Sequence, residues 1–217
     1  MLKSRNLFFF FLLIILTSCD TNLEEQIVPI VNTTRIYPSL TPTVSDSAYA
    51  IVKSLFNKNN LSLANLKVDS LTFDQGYNVL CNQYYGPNSK TDYPLELFVN
   101  PVIFHFSENE NNYTLNGTLI DKVDIDFKPR VTMAQASNLF YDFIKTDWLY
   151  SGSLDDYYDT GFNAELGIID FYAGLNNDNH YFVLAWKLTV NNGSKYPRAF
   201  IRADYLQLIN YSNGVLY

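Results

Sequence analysis

The amino-acid sequence predicts an α+β fold in which helices pack on antiparallel β-sheets. Two stretches carry apolar residues at helical spacing behind a capping residue, and each is followed by segments in which apolar and polar residues alternate. The 17 tyrosines and 16 phenylalanines are typical of strands that enclose a substantial core. Because the order of helix first and strands second occurs twice, we expect two similar units, each burying the apolar face of its helix against a sheet.

The chain begins with a segment that resembles a bacterial lipoprotein signal peptide. Lys3 and Arg5 precede an unbroken run of Leu, Phe and Ile that is short for a permanent membrane span. The run ends in LTSC (16–19), which is similar to the lipobox, where a signal peptidase cuts before a cysteine already modified with lipid. The resemblance implies that residues 1–18 are removed and that Cys19 carries the lipid anchor.

The lipobox resemblance implies that the protein is held on a membrane of the bacterial cell envelope, and we expect the outer membrane. Asp20, Glu24 and Glu25 fit both an inner-membrane retention signal and a surface-export signal. The sequence therefore does not decide which membrane leaflet would carry the protein. The alternatives are an ordinary secreted protein with a chance cysteine and an amino-terminal anchor that is never cut. No later apolar run reaches the length that a membrane span needs.

Charge and cysteine content exclude some classes of function. Loss of Lys3 and Arg5 with the signal peptide would take the formal net charge from -7 to -9. A chain this acidic is not expected to bind nucleic acid or anionic lipid by charge alone. With Cys19 used for lipid, Cys81 has no partner in the chain, so we expect no disulfide framework.

Residues 19–44 are predicted to form a tether between the anchor and the folded part. Pro29, Pro38 and Pro42 stand among Thr, Asn and Ser residues, and neither a helical nor a strand period is evident. The sequence therefore predicts that the first ordered element begins at about residue 45.

The first predicted unit spans residues 45–127 and opens with a helix. Ser45 is a suitable N-cap, and the apolar stripe behind it stops at the asparagine-rich stretch 57–60. Alternating segments separated by turn residues then predict strands. The predicted strands cover residues 68–73, 77–85, 95–106 with a break at Pro101, and 113–120, and the predicted turns lie at 74–76 and 109–112.

The second predicted unit, residues 128–217, repeats this order. Thr132 and Gln135 have the spacing of a capping box, and the apolar stripe after them continues to about Ile144. Three strand candidates follow, separated by turn-forming stretches rich in Asn. They cover residues 165–173, 181–190 and 199–210.

Four short stretches give the chain a resemblance to a known family. NQYYG (82–86) stands where the family has a Gln-aromatic-Tyr-Gly stretch, and PVIFHFSENENNYTLNGTL (101–119) is similar to its next strand pair. KPRVTMAQASNLF (128–140) and VLAW (183–186) are similar to the second half. The family comprises the propeptides of thermolysin-type and fungalysin-type metallopeptidases, built from an FTP segment and a PepSY domain. AFIRAD (199–204) matches the family ending only loosely.

The resemblance implies two PepSY-like, cystatin-like units and a role in binding a protein rather than in catalysis. Propeptides of this kind inhibit their peptidases or help them to fold, and this sequence contains no His-Glu-x-x-His motif of its own. The implied partner is an envelope peptidase or another envelope protein, bound at a sheet edge or at the loop after Gly86. The candidate partner-binding residues are Gln83, Tyr84, Tyr85 and Gly86, unless these residues only close a turn.

Reactive side chains give little indication of catalysis, of a metal or of a cofactor. His105 and His180 lie in or beside predicted strands without a neighbour at metal-ligand spacing. Cys81 lies in an alternating stretch, where we expect a small buried residue rather than a nucleophile. The acidic cluster at 155–159 lacks the glycine and terminal glutamate of a calcium loop, which favours a solvated loop. A hydrolase is the least favoured hypothesis.

A second class of function is capture of a glycan or another nutrient beside an outer-membrane transporter. The stretch from 147 to 162 is rich in aromatic residues, and exposed aromatic rings can stack on sugars. The candidate glycan platform consists of Trp148, Tyr150, Tyr157 and Tyr158.

Overall fold

A computed structural model describes most of the chain after the amino-terminal segment. The residues that the structure describes are 31–86, 88, 91–98, 101–150, 160–171 and 180–215. In chain order, the helices and strands are β1 (Thr33–Ile36), α1 (Asp46–Lys58), β2 (Leu66–Phe73), β3 (Tyr77–Tyr85), β4 (Leu95–Phe98), β5 (Val102–Phe106), β6 (Tyr113–Asn116), α2 (Met133–Thr146), β7 (Phe162–Asp170), β8 (Phe182–Val190), β9 (Arg198–Arg202) and β10 (Leu208–Ser212).

Both helices begin at the capping residues that the sequence predicts. The Ser45 hydroxyl accepts a hydrogen bond from Ala48 N at 3.3 Å, which satisfies a main-chain donor in the first turn of α1. Thr132 and Gln135 form the complete capping box of α2, with bonds in both directions. The two helices and the strands that follow each of them confirm the predicted α+β fold class.

The strands within the described residues form a mostly antiparallel sheet of ten members. Its order is β10-β9-β8-β7-β4-β3-β5-β6, with β1 beside β7 and β2 beside β3. β4 joins the two halves, because it pairs antiparallel with β3 and parallel with β7. Each of these two ladders has only two residue pairs. We call the two ladders of β4 together the seam. The pairs are Tyr84 with Glu96, Tyr85 with Leu95, Leu97 with Ile168, and Phe98 with Ile169.

Both helices lie on the same face of this sheet. In β3, Val79 and Cys81 belong to the core under α1, whereas Tyr85 packs against the core under α2. Residues two apart in a strand point to the same face, so Val79, Cys81 and Tyr85 all point to one face of the sheet. The described residues place no helix on the opposite face, which we call the helix-free face.

Two cores hold the helices on the sheet. Each fully buried large apolar side chain stabilises the folded state by about 1.5–3 kcal/mol. Both cores therefore contribute strongly to the stability of the fold. Under α1 the buried residues are Val52, Leu55, Phe56, Val68, Val79, Cys81, Val102, Phe104 and Phe106. The larger core under α2 includes Leu95, Leu97, Ala136, Phe140, Ile144, Phe162, Leu166, Ile168, Leu184, Trp186, Leu188 and Ile201.

The predicted tether of residues 19–44 is wrong for its final part. Residues 33–36 form β1, which pairs parallel with the first four residues of β7. Val31 is buried in the core under α2, and Thr43 N donates to Val68 O at 3.0 Å. A four-residue strand is too short to show a period, and its partner lies more than a hundred residues away, so local pattern could not reveal it.

Three predicted strands also need correction. The strand predicted over 113–120 ends at Asn116, because Gly117 has φ of +96°, outside the strand region. The strand predicted over 199–210 is two strands, β9 and β10, connected through Arg202 N donating to Gln207 O at 2.9 Å. The strand predicted over 165–173 begins earlier, at Phe162, and ends at Asp170.

The amino-terminal predictions lie outside the described residues. Residues 1–18, predicted as the signal peptide, and Cys19, the predicted lipid site, therefore remain predictions. Among the helices that the structure describes, none has the length and apolar character needed to cross a membrane.

We expect the contact between Phe98 and Gly167 to limit substitution at the seam. A Cβ atom at Gly167 would lie 2.4 Å from Phe98 Cζ and 2.7 Å from Glu96 O. Because Phe98 is buried and cannot move aside cheaply, Gly167→Ala should lower the free energy of unfolding by about 1–3 kcal/mol in urea titration.

The control for this substitution is Gly86→Ala, where a Cβ would meet only the flexible Asn65 side chain, at 3.1 Å from its Oδ1. We expect this change to stay within about 0.5 kcal/mol of the wild type. Equal losses in the two variants would contradict the importance of the Phe98 contact.

Candidate functional site

Four polar side chains form a row across the seam on the helix-free face. Tyr84, Glu96, Glu165 and Lys187 come from four adjacent strands, β3, β4, β7 and β8. Lys187 Nζ lies 2.8 Å from Glu165 Oε2 and 3.9 Å from Glu96 Oε2. The Tyr84 hydroxyl donates to Glu96 Oε2 at 3.3 Å. We call this group the seam row, and it links the two halves of the sheet through side chains as well as main chain.

Burial shifts the pKa of two groups in the seam row, Glu96 and Tyr84. It raises the pKa of the Glu96 carboxyl above its usual range, the Lys187 ammonium opposes this shift, and the nearby Glu165 carboxylate adds to it. Burial and the negative charge of Glu96 also raise the pKa of Tyr84, so its hydroxyl stays a hydrogen-bond donor at neutral pH. With both carboxylates ionised, the row would carry two negative charges against one positive charge.

The predicted partner-binding residue Gln83 is buried and holds the chain that follows β6. Its Nε2 donates to Thr118 O at 2.8 Å, and its Oε1 accepts from Ile120 N at 2.8 Å. Both groups of the side-chain amide are thereby used on neighbouring backbone. Gln83 therefore positions residues 118–120 rather than presenting itself on the surface.

The other three residues of this predicted set also lie at the seam. Tyr84 is buried in the seam row, and Tyr85 is half-buried, with its ring stacked on Phe127 at 4.9 Å between centroids. Gly86 lines a hollow of about 290 Å³ together with Asn65 and Asn88. The structure thus brings the four residues together around the junction of the two halves, and a partner-binding role for them stays a prediction.

The predicted glycan platform is only partly within the described residues. Trp148 has 72% of its surface exposed, but Tyr150 is half-buried and its hydroxyl donates to Asn213 O at 2.7 Å. Tyr157 and Tyr158 lie outside the described residues, as does the acidic cluster at 155–159.

Cys81 and the two histidines have neighbours in the structure that fit a structural role. Cys81 is fully buried, as predicted, and burial together with the Asp69 charge raises the pKa of its thiol to about 12. His105 Nδ1 lies 2.5 Å from Asn78 Oδ1, and the half-exposed His180 has Nδ1 at 2.6 Å from a buried carboxylate oxygen of Asp170. The described residues contain no group of three His, Cys, Asp or Glu residues suited to hold a metal ion.

The most open part of the described structure is the strand β6 and the chain around it. Every residue from 111 to 119 is exposed, and β5 is the one described strand that pairs with β6. Ser107 N donates to Asn112 O at 3.0 Å, which identifies that pair as hydrogen-bonded. Because such pairs alternate along an antiparallel ladder, the N–H and C=O groups of Tyr113 and Leu115 point away from β5.

Apolar side chains lie beside these outward main-chain groups. Tyr113 and Leu115 are 41% and 37% exposed and lie opposite Phe106 and Phe104, so they face the same side as α1. Leu119, 40% exposed, continues this surface. A hollow of about 210 Å³ next to it is lined by Leu61, Leu66, Phe104, Leu119 and Ile120, among others.

We define the β6 edge as the side chains of Tyr113, Leu115 and Leu119 with the outward main chain of Tyr113 and Leu115. Its sequence, YTLNGTL, shows the alternation of a strand. The sequence predicts this strand but not its place at the end of the sheet, because sheet order depends on pairing between distant segments.

The chain has a weak likeness to one solved structure. No known protein family matches the chain, and no curated protein matches it. One solved structure, the C-terminal domain of YpeB from Bacillus megaterium, is 12% identical in sequence, with a TM-score of 0.34. The match covers 80% of this chain and 66% of that chain.

We expect Glu96 to make the stability of the protein depend on pH. Its folded pKa lies above that of an unfolded glutamate, so between these two values the folded chain binds more protons than the unfolded chain. The free energy of unfolding should therefore fall as pH rises through this interval. Glu96→Gln should flatten this dependence and be more stable than the wild type at neutral pH, where Lys187 keeps Glu165 as its partner.

Chemical denaturation at several pH values measures this effect. The matched control is Glu108→Gln, which removes an exposed carboxylate in the turn before β6 and should leave the pH profile parallel to that of the wild type. A Glu96→Gln profile that is also parallel to the wild type would show that the seam row does not govern this pH dependence.

Proposed function

We propose that the protein is a non-catalytic lipoprotein of the bacterial cell envelope that binds an extended segment of another envelope protein at the β6 edge. The observation that carries this proposal is the combination of outward main-chain groups and exposed apolar side chains at Tyr113 and Leu115. An added strand gains affinity from main-chain hydrogen bonds and specificity from pockets that receive alternate side chains.

The path of the chain after β6 gives this edge a fixed shape. Gln83 binds the backbone of Thr118 and Ile120 with two hydrogen bonds of 2.8 Å, which holds Leu119 between them beside the hollow of about 210 Å³. A surface whose groups are already ordered loses less conformational entropy when a partner binds. The apolar residues of the edge are therefore presented ready for contact.

The surroundings of the reactive groups support binding rather than catalysis. The Cys81 thiol is buried and its pKa is raised, which disfavours the thiolate that a nucleophile requires. His105 and His180 are each hydrogen-bonded to one neighbouring side chain in separate halves of the sheet. The partner class that best fits the family resemblance is an envelope peptidase or another envelope protein.

The anchor in this proposal is the lipid on Cys19. Because Val31 is already buried in the fold, only about twelve residue steps separate it from Cys19, and these span at most about 40 Å at full extension. The proposed binding edge would therefore work close to the membrane rather than far from it.

A glycan- or nutrient-binding lipoprotein beside an outer-membrane transporter is the second candidate. The large exposure of Trp148 favours it, since an exposed indole ring can stack on a sugar. Such a protein would associate with transporter components in a way that does not depend on the β6 edge.

Leu115→Pro is expected to abolish partner binding. Proline removes the outward N–H of residue 115 and is tolerated on edge strands, whereas the bonds of Thr114 to β5 stay in place. In pull-downs from detergent-solubilised envelope with the tagged lipidated protein, recovery of the partner should fall about tenfold or more. Leu115→Ala, which keeps the N–H and removes apolar surface, should lose less.

Each variant must first show the circular dichroism spectrum and melting behaviour of a folded protein. Partner recovery that is the same for Leu115→Pro and the wild type would exclude strand addition at this edge. Recovery of transporter components unaffected by Leu115→Pro would favour the second candidate.

Cys19→Ala is expected to abolish lipid attachment. In the proposed maturation, the cut before residue 19 requires the lipid-modified cysteine, so this variant should incorporate no labelled palmitate and keep the mass of residues 1–18. Cys81→Ala is the matched control, because its thiol is buried in the core and should not receive lipid. Label retained in Cys19→Ala, or lost in Cys81→Ala, would contradict the proposed anchor.

A further inference from the structure

We propose that one end of the strands β7 to β10 carries a second binding site, whose ligand is a neutral oligosaccharide. The site consists of the rings of Phe171, Tyr181 and Tyr205 around the guanidinium of Arg202, and we call it the aromatic end. It shares no residue with the predicted glycan platform, and β6 lies at the opposite end of the strand order. The inference therefore does not depend on partner binding at the β6 edge.

The topology of the sheet brings these residues together. The strands β7, β8, β9 and β10 are adjacent and antiparallel, so β7 and β9 end where β8 and β10 begin. Phe171 N donates to Tyr181 O at 2.8 Å, and the centroids of their rings are 6.1 Å apart. Residues 172–179, which follow Phe171, lie outside the described residues and are not part of the site.

The aromatic end lies on the helix-free face and stands on a packed floor. Phe171, Tyr181 and Arg202 are each two positions from a member of one buried apolar cluster, so they point to the same face as that cluster. Lys187 of the seam row lies over another member, Phe98, which places the cluster on the helix-free face. The members next to the aromatic end are Ile169, Val183 and Phe200.

The buried side chain of Arg202 fixes the polar part of the site. Its Nε donates to Asp204 Oδ1 at 2.8 Å, and its Nη2 forms an ion pair with the same carboxylate. Its Nη1 donates to the Tyr205 hydroxyl at 2.8 Å, and its Cζ lies 4.0 Å from the centroid of the Tyr205 ring. Tyr181 also interacts with this guanidinium. One arginine thus positions a carboxylate and two tyrosines.

The charges of the site suit a neutral ligand. The pairing of Arg202 with both oxygens of Asp204 neutralises the guanidinium, so it offers little attraction to a phosphate or a carboxylate. Asp204 is partly exposed, and its carboxylate can accept hydrogen bonds from a ligand. Because the Tyr205 oxygen accepts from Arg202, the proton of its own hydroxyl can be donated to a ligand.

Exposed ring surface lies beside these polar groups. Tyr181 and Tyr205 are 45% and 50% exposed, and Phe171 is exposed as well. A sugar combines a face of C–H groups, which packs on an aromatic ring, with hydroxyl groups that donate and accept hydrogen bonds. A proline-rich peptide also packs on aromatic rings, but its prolines lack the N–H donors that the Asp204 carboxylate requires. The combination of groups therefore favours a saccharide.

The position of the aromatic end in the sheet argues against lipid as its occupant. β1 pairs parallel with the first residues of β7, so the chain from the proposed anchor enters at the other end of β7. The nine residues of β7 cover about 27 Å. The aromatic end is therefore remote from the point where the anchored chain enters the sheet.

Isothermal titration calorimetry tests this inference with the full lipidated protein, in a detergent that has no sugar head group. The probes are cellohexaose, maltohexaose, mannohexaose, xylohexaose and chitohexaose, which are neutral, and hexagalacturonate, which is acidic. We expect at least one neutral hexamer to bind with a Kd of about 1 mM or lower, and its affinity should not change with salt. Hexagalacturonate should bind about tenfold more weakly or not at all, because the chain is acidic.

Loss of one ring should weaken the binding of that hexamer about three- to tenfold. The test variants are Phe171→Ala, which removes a ring that makes no conventional hydrogen bond, and Tyr205→Ala. Trp148→Ala removes an exposed ring elsewhere, and Leu115→Pro alters the β6 edge, so both should leave the affinity unchanged. Circular dichroism and melting show whether each variant is folded, and Phe171→Ala is sufficient for the test if Tyr205→Ala is unfolded.

The outcomes separate this inference from the proposed function. If none of the neutral hexamers binds, the inference is wrong and the proposal for the β6 edge still stands. Sugar binding that is lost in Trp148→Ala and unchanged in Phe171→Ala would place the site at the predicted platform and reject the aromatic end. Equal binding of hexagalacturonate would contradict selection of a neutral ligand, and a loss in Leu115→Pro would contradict a site confined to the aromatic end.

Discussion

The two short ladders of β4 are the interaction on which the rest of the structure depends. Among the described strands, β4 alone connects the part of the sheet that holds α1 to the part that holds α2. Two residue pairs on each side are few, and side-chain contacts also cross the seam. Phe98 packs over Gly167, and the seam row continues across β3, β4, β7 and β8. Because the alternation of side chains along β3 continues through the seam, both helices pack on the same face of the sheet.

The open edge follows from the same topology. One side of β3 is taken by β2, and the other side is divided between β5 and β4. β5 can therefore extend the sheet only through β6, which becomes its outer strand. Gln83 relates the two features, since it lies next to Tyr84 of the seam row and its amide fixes the backbone after β6. Strand β3 therefore takes part in the seam and also holds the chain that follows the proposed binding surface.

Local chemistry made several elements predictable from the sequence. The caps at Ser45 and Thr132, the turn at 74–76 and the bounds of β3 depend on residues close in sequence, and the structure has them where predicted. β1 depends on pairing with β7, which no local pattern encodes. For the same reason the sequence could place Gln83 in a stretch that resembles a family motif, but it could not show that Gln83 binds residues 118 and 120.

The parallel pairing of β1 with β7 has a mechanical consequence. A pull on the chain before Val31 that is directed along β1 acts on four residues that pair side by side with the first four residues of β7. The hydrogen bonds of a parallel ladder are evenly spaced along the strand, so a force in this direction loads them together in shear instead of peeling them one at a time. With the proposed lipid anchor, tension on the chain before Val31 would therefore meet its first resistance in the β1–β7 ladder beside α2, and not in the half of the sheet that holds α1.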